Sequence, residues 1–151
     1  WDGYILNKYP IETETAFQGT DYPLARWADV LLMYAEADVR LNKTVSTSAI
    51  DCVNQVRHRA GLADLPAEKT ASVNDFLDAL LEERGHEFYY EGHRRIDLIR
   101  LSKYYTIMDA IGCTPTSQYF PIPNYAVDQA TDMGYTLTQY FTRPDYDGPQ
   151  R

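Results

Sequence analysis

The stretch 80–100, from Leu80 to Arg100, packs acids, arginines and large apolar side chains together more densely than any other part of the chain. At about 100° per residue from Phe76, the residues Leu80, Glu83, Glu87 and Glu91 fall on one helical face, with Leu77, Arg84 and Phe88 widening it. Three carboxylates therefore share the apolar side of an amphipathic helix. A carboxylate taken out of water needs a partner or a chemical task. Arg84, Arg94, Arg95 and Arg100 lie in the surrounding turns, and Arg57 and Arg59 close the preceding helix. Their planar guanidinium groups match carboxylates in a bidentate fork. The expectation is a structural ion network of Glu83, Glu87 and Glu91 with Arg57, Arg59, Arg84, Arg94 and Arg100, which holds the helices in one packing.

The rest of the chain is built to receive that helix. Residues 1–21 mix aromatic and apolar positions with Gly3, Pro10 and Gly19 and read as extended. Asp21 can cap a helix carrying Pro23 in its first turn, with Leu24, Ala28, Leu31, Ala35 and Val39 recurring at helical spacing. Asn42-Lys43-Thr44 interrupts it. Ser46, Thr47 and Ser48 offer N-caps for a second helix along Ala49, Val53, Val56 and Ala60, stopped by Gly61. The short connection makes the pair antiparallel. A loop through Pro66 leads to Ser72-Val73-Asn74-Asp75, a capping-box-like start to the central helix, which Gly92 ends or bends. A fourth helix is expected from Arg94 to about Met108. Gly85 inside the central helix costs about 1 kcal/mol against alanine, which a close packing contact or the tolerance of the fold would explain. The helical part thus covers 22–111. Residues 112–151, with Pro115, Pro121, Pro123, Pro144 and Pro149 among many tyrosines, read as a long irregular tail.

The chain has 151 residues, enough for one domain. The expected architecture is mainly α, with tetratricopeptide-like helix pairs and a loop-rich C-terminal tail. A solenoid of such units needs about three repeats for stability, so neighbouring helices are expected beyond this pair. The net charge of -8 disfavours nucleic acid and anionic membrane surfaces as partners. No run approaches the roughly 20 apolar residues of a membrane span. Cys52 sits on an apolar helix face, Cys113 lies far from it, and their spacing matches no metal or redox motif; a disulfide between them is left open. His86-Glu87 begins like a zinc-protease signature, but Tyr90 occupies the position of the second histidine, so no metal and no cofactor is expected.

The order Leu24-Ala25-Arg26-Trp27-Ala28-Asp29-Val30-Leu31-Leu32-Met33-Tyr34-Ala35-Glu36-Ala37, Val53-Asn54-Gln55-Val56-Arg57-His58-Arg59-Ala60-Gly61-Leu62, Glu83-Arg84 through Glu91-Gly92-His93-Arg94 to Asp97-Leu98-Ile99-Arg100, and Phe120-Pro121-Ile122-Pro123 resembles the SusD/RagB family. Gly85-His86 and Arg95 depart from the residue types usual there. The resemblance implies a C-terminal segment of a longer, non-enzymatic protein that binds a glycan or another small nutrient. It further implies a lipid anchor on an N-terminal portion absent from this chain, the outer face of the outer membrane as location, and delivery to a SusC-like TonB-dependent transporter.

Thirteen tyrosines offer flat amphipathic surfaces suited to a sugar ring. Tyr104, Tyr105, Tyr119, Tyr125, Tyr135, Tyr140 and Tyr146 lie in or beside the tail and are the candidate ligand contacts, since loops on rigid scaffolds carry binding. Two other readings compete. One is a helical-repeat scaffold for protein–protein interaction without sugar binding. The other is a hydrolase using Glu83 and Glu87 as a carboxylate pair.

Overall fold

Helix α1 (Trp27–Asn42) begins later than its apolar repeat suggests. Arg26 holds the N-cap position in extended backbone, and Leu24 is exposed, so neither Asp21 nor Pro23 enters the helix. The inward face is Leu32, Ala35, Glu36 and Val39: Ala35 and Val39 of the expected line are buried, while Ala28 and Leu31 are only half-buried and Leu32 takes the inward place. In the computed structural model, residues 8–9, 21–115 and 117–137 are described. The expected extended start (apart from residues 8, 9 and 21), Tyr140, Tyr146 and the end of the tail lie outside them. The described residues contain no strand, and none of their helices is long and apolar enough to cross a membrane.

The chain divides into two compact units, Trp1–Leu80 and Leu81–Arg151. In the first, the connection 43–46 folds α2 (Thr47–Arg59) back against α1. Ser46 makes this turn by serving both sides. Its hydroxyl donates to Asp38 of α1 and accepts the Ala49 N–H of α2 at 3.0 Å. Ala49, Val53 and Val56 are buried as their spacing predicts, whereas Ala60 is exposed at the helix end. The loop beyond is tied to α2: Leu65 N–H donates to Asn54 Oδ1 at 2.8 Å, and Arg57 Nε donates to the Ala63 carbonyl at 2.8 Å. A 3-10 turn over Ala67–Thr70 then leads to α3 (Val73–Glu87). Ser72 caps it, its carbonyl accepting the Phe76 N–H and its hydroxyl oxygen the Asp75 N–H, while the hydroxyl proton goes to the Asp75 carboxylate. Phe76 and Leu80 are wholly buried.

The division between units falls inside α3, and the second unit continues with Leu81, Phe88 and Leu98 as its buried apolar side chains. The expected helix from Arg94 to Met108 is two: α4 (Arg94–Arg100) and α5 (Tyr104–Ala110). Between them Ser102 adopts φ 58, its N–H donating to Ile99 and the Lys103 N–H to Leu98. This is the paired-hydrogen-bond stop that Gly61, Gly112 and Gly134 make at the ends of other helices, here made by a serine with no glycine to announce it. The tail also contains a helix the sequence pattern does not suggest, α6 (Asn124–Asp132), which starts directly after Pro123.

Both cysteines are free thiols, Cys52 half-buried and Cys113 exposed. Burial, followed by the nearby carboxylates of Asp51 and Asp38, pushes the Cys52 thiol above its usual range.

Candidate functional site

The second unit carries two polar arrangements, one inside it and one at its surface. The inner one centres on an acid outside the expected network. Arg84, in α3, and Asp97, in α4, are each 4 % exposed, and Arg84 Nε donates to Asp97 Oδ2 at 2.8 Å. The other carboxylate oxygen, Oδ1, accepts from Arg100 Nε at 2.8 Å. Asp97 thus takes one guanidinium on each oxygen, and only the Arg100 side faces water. The Arg84 guanidinium also lies over the Phe88 ring, 4.9 Å from its centroid. Glu83 and Glu91 are buried and Glu87 is half-buried; Glu91 falls beyond the end of α3, in the turn where Tyr90 and Gly92 take positive φ. Arg57 and Arg59 belong to the first unit, at the end of α2.

Arg94 explains the glycine in α3. Its Nη1 donates to the Leu81 carbonyl at 2.9 Å, and a Cβ on Gly85 would lie 2.7 Å from that nitrogen. The guanidinium is seated where a side chain would stand, so of the two explanations the close contact holds. Gly85→Ala should gain about 1 kcal/mol of helix propensity and lose about as much by displacing Arg94, leaving stability nearly unchanged. In an Arg94→Ala background the same substitution should stabilise by about 1 kcal/mol. Urea titration of the four proteins reads this coupling directly. Equal effects of Gly85→Ala in both backgrounds would remove the explanation.

The surface arrangement is built on Arg95. Its guanidinium sits 4.1 Å from the centroid of the Phe120 ring and 5.7 Å from that of Tyr104, and its Nη2 donates to the Gln118 carbonyl. The Gln118 N–H donates in turn to the Tyr105 hydroxyl at 2.9 Å. Tyr104 and Tyr105 meet edge to face with centroids 5.5 Å apart. One arginine of α4 and one phenol of α5 therefore hold the irregular segment 117–120, and the segment turns Tyr119 and Phe120 outward, 57 % and 80 % exposed. Among the candidate tyrosines, Tyr104 and Tyr105 are half-buried supports and Tyr119 is on the presented surface. Tyr125, on α6, and Tyr135, just after it, are exposed. Tyr140 and Tyr146 lie outside the described residues.

Sequence reasoning missed Asp97 and Arg95 as organisers and Phe120 as a presented aromatic. Asp97 had a detectable signal, since it stands three residues from both Arg94 and Arg100. Phe120 had only its place in the Phe120-Pro121-Ile122-Pro123 run, which says nothing of its exposure. His93, half-buried, packs its ring on Phe88 at 4.8 Å. No group of His, Cys, Asp and Glu among the described residues could hold a metal ion.

The family model described as "SusD family" matches residues 1–144. The starch-binding protein SusD of Bacteroides thetaiotaomicron is 33 % identical over 106 residues, 70 % of this chain and 17 % of that protein. The SusD-like protein P25 of Formosa agariphila is 41 % identical over 76 residues, 50 % of this chain and 14 % of that protein. A solved SusD homologue from Bacteroides thetaiotaomicron superposes with a TM-score of 0.65 at 27 % identity, covering 87 % of this chain and 30 % of that one. The chain therefore spans about a sixth of the length of the curated relatives and under a third of the solved homologue.

Proposed function

We propose that this chain, which belongs to the SusD family, is the helical scaffold portion of a non-catalytic cell-surface protein that binds a glycan or a similar small nutrient. The whole protein, lipid-anchored at the outer face of the outer membrane, captures its ligand reversibly and passes it to a SusC-like TonB-dependent transporter. The observation that carries the reading is the 33 % identity to a protein named for starch binding, over 70 % of this chain. Nothing in capture and hand-over needs a bond to break. Buried arginine and carboxylate side chains that bind each other, as Arg84 and Asp97 do, suit a scaffold that must keep one shape.

Within this chain, the surface held by Arg95 is the best-prepared contact for a sugar. Tyr119 and Phe120 are presented on a backbone already tied at Gln118, so little ordering entropy is lost when a ring stacks on them. The test is a glycan-array and depletion assay on a full-length SusD-family protein carrying these residues, run beside the 151-residue chain. The full-length protein should retain a carbohydrate. Tyr119→Ala and Phe120→Ala should each weaken that binding about two- to tenfold without altering helicity. Retention that is indifferent to both substitutions would move the contact elsewhere. Failure of the full-length protein to retain any carbohydrate would refute the reading.

A further inference from the structure

Arg95 is a cation that meets no acid. Elsewhere in the chain Arg40 pairs with Glu36, and Arg84 and Arg100 share Asp97. Arg95 is half-buried, and among the described residues no carboxylate stands within ion-pair distance of it. It touches the Phe120 and Tyr104 rings and donates from Nη2 to the Gln118 carbonyl. An aromatic ring attracts a guanidinium through its π cloud and accepts none of its in-plane protons, so Nε and Nη1 find no acceptor among the described residues. A charge drawn partly out of water is stabilised by an opposite charge held close. The residues that follow Gln118 in the chain, Tyr119 and Phe120, are the exposed aromatics of the same segment.

We propose that Arg95 receives the anionic group of an acidic sugar, the carboxylate of a uronic acid or a sulfate ester, while the sugar ring stacks on Tyr119 or Phe120. The match is one of shape as well as charge. A guanidinium presents parallel N–H donors that suit two oxygens of one carboxylate or sulfate, and such charge-assisted bonds are about twice as strong as those to a neutral hydroxyl. The net charge of -8 narrows the kind of ligand further. At physiological salt the field of other charges is screened beyond about 8 Å, so an acidic chain holds an anion only through a contact at close range. A short oligosaccharide gripped at one acidic residue fits that condition, and a polyanion spread over the surface does not. Arg95 thereby sets specificity as well as clamping segment 117–120, and the two roles use different donors, Nη2 for Gln118 and the rest for the sugar. This rests on the carbohydrate-binding reading of the whole protein and narrows it to one class of sugar.

Oligosaccharides paired so that they differ only in charge test it. Galacturonate, mannuronate and glucuronate oligosaccharides are arrayed beside their methyl esters, and carrageenan oligosaccharides beside their desulfated forms, together with neutral glucans. Binding is measured to a full-length SusD-family protein carrying these residues. At least one charged member should bind about tenfold or more tightly than its neutral twin, and added salt should shrink the difference. The uronate pairs and the sulfate pairs show which anion is taken. Arg95→Gln should abolish the preference. Tyr105→Phe removes the hydroxyl that accepts the Gln118 N–H and leaves the charge in place, so it should weaken charged and neutral members alike and keep their ratio. That contrast separates recognition of the anion from support of the segment. Should Arg95→Gln fail to fold, as judged by circular dichroism, Arg95→Lys takes its place: it keeps the charge, loses the fork and should cut the preference at least about threefold. Neutral members that bind as tightly as their charged twins overturn the inference and leave the carbohydrate reading standing. So does a preference for charge that survives replacement of Arg95. Failure to bind any member of the array removes both.

Discussion

Asp97→Ala is expected to cost about 3–5 kcal/mol of unfolding free energy, because it takes a carboxylate partner from the buried Arg84 guanidinium. Arg84 and Asp97 are each only 4 % exposed, and the Arg84 Nε to Oδ2 distance is 2.8 Å. Arg100 contributes little to that cost, since its side chain is 34 % exposed and can turn to solvent. The double replacement Arg84→Met, Asp97→Leu should recover much of the loss, because an apolar pair of similar volume needs no desolvated charge. Urea titration followed by helicity measures both. A loss under about 1 kcal/mol for Asp97→Ala would mean that the pair is solvated in solution and that other contacts orient α4.

The second large effect is expected at Phe76. Among the described residues it is the largest wholly buried side chain, set one turn into α3. Phe76→Ala removes a ring from a site with no exposed edge and should destabilise by about 3–5 kcal/mol, the lost transfer energy adding to a residual cavity. Phe120→Ala is the contrast: the same substitution at a ring that is 80 % exposed should stay within about 1 kcal/mol, the size of its contact with Arg95. A small effect at Phe76 would show that α3 relaxes into the vacated space. The comparison separates a residue that holds the fold from one that stands exposed on the surface.

Much of the helical order is legible in the residues. The Ala49, Val53, Val56 repeat, the Ser46 and Ser72 caps and the Gly61 stop are local signals, each acting within a turn or two, and the structure has all of them. The misread positions share one property. The start of α1 at Trp27, the break at Ser102 and the nine-residue α6 depend on backbone conformations that ordinary side chains permit and do not announce. Serine in a left-handed turn costs more than glycine, so pattern reading runs α4 into α5 across it.

The candidate site divides along the same line. That tyrosines crowd the tail, that arginines must neutralise acids around 80–100, and that Gly85 calls for an explanation follow from composition and spacing alone. Which arginine meets which acid does not, because side chains many residues apart in sequence are matched only when two helices and a turn set their distance. Asp97 receives Arg84 across 13 residues, and Arg95 reaches Gln118 across 23. The amino-acid sequence by itself determined the helices, most of their stops and the family to which the chain belongs, through periodicity and turn chemistry that act locally. Only the tertiary structure decided the pairing of buried charges and the aromatics presented to solvent, because each depends on the direction in which a packed helix points its side chains.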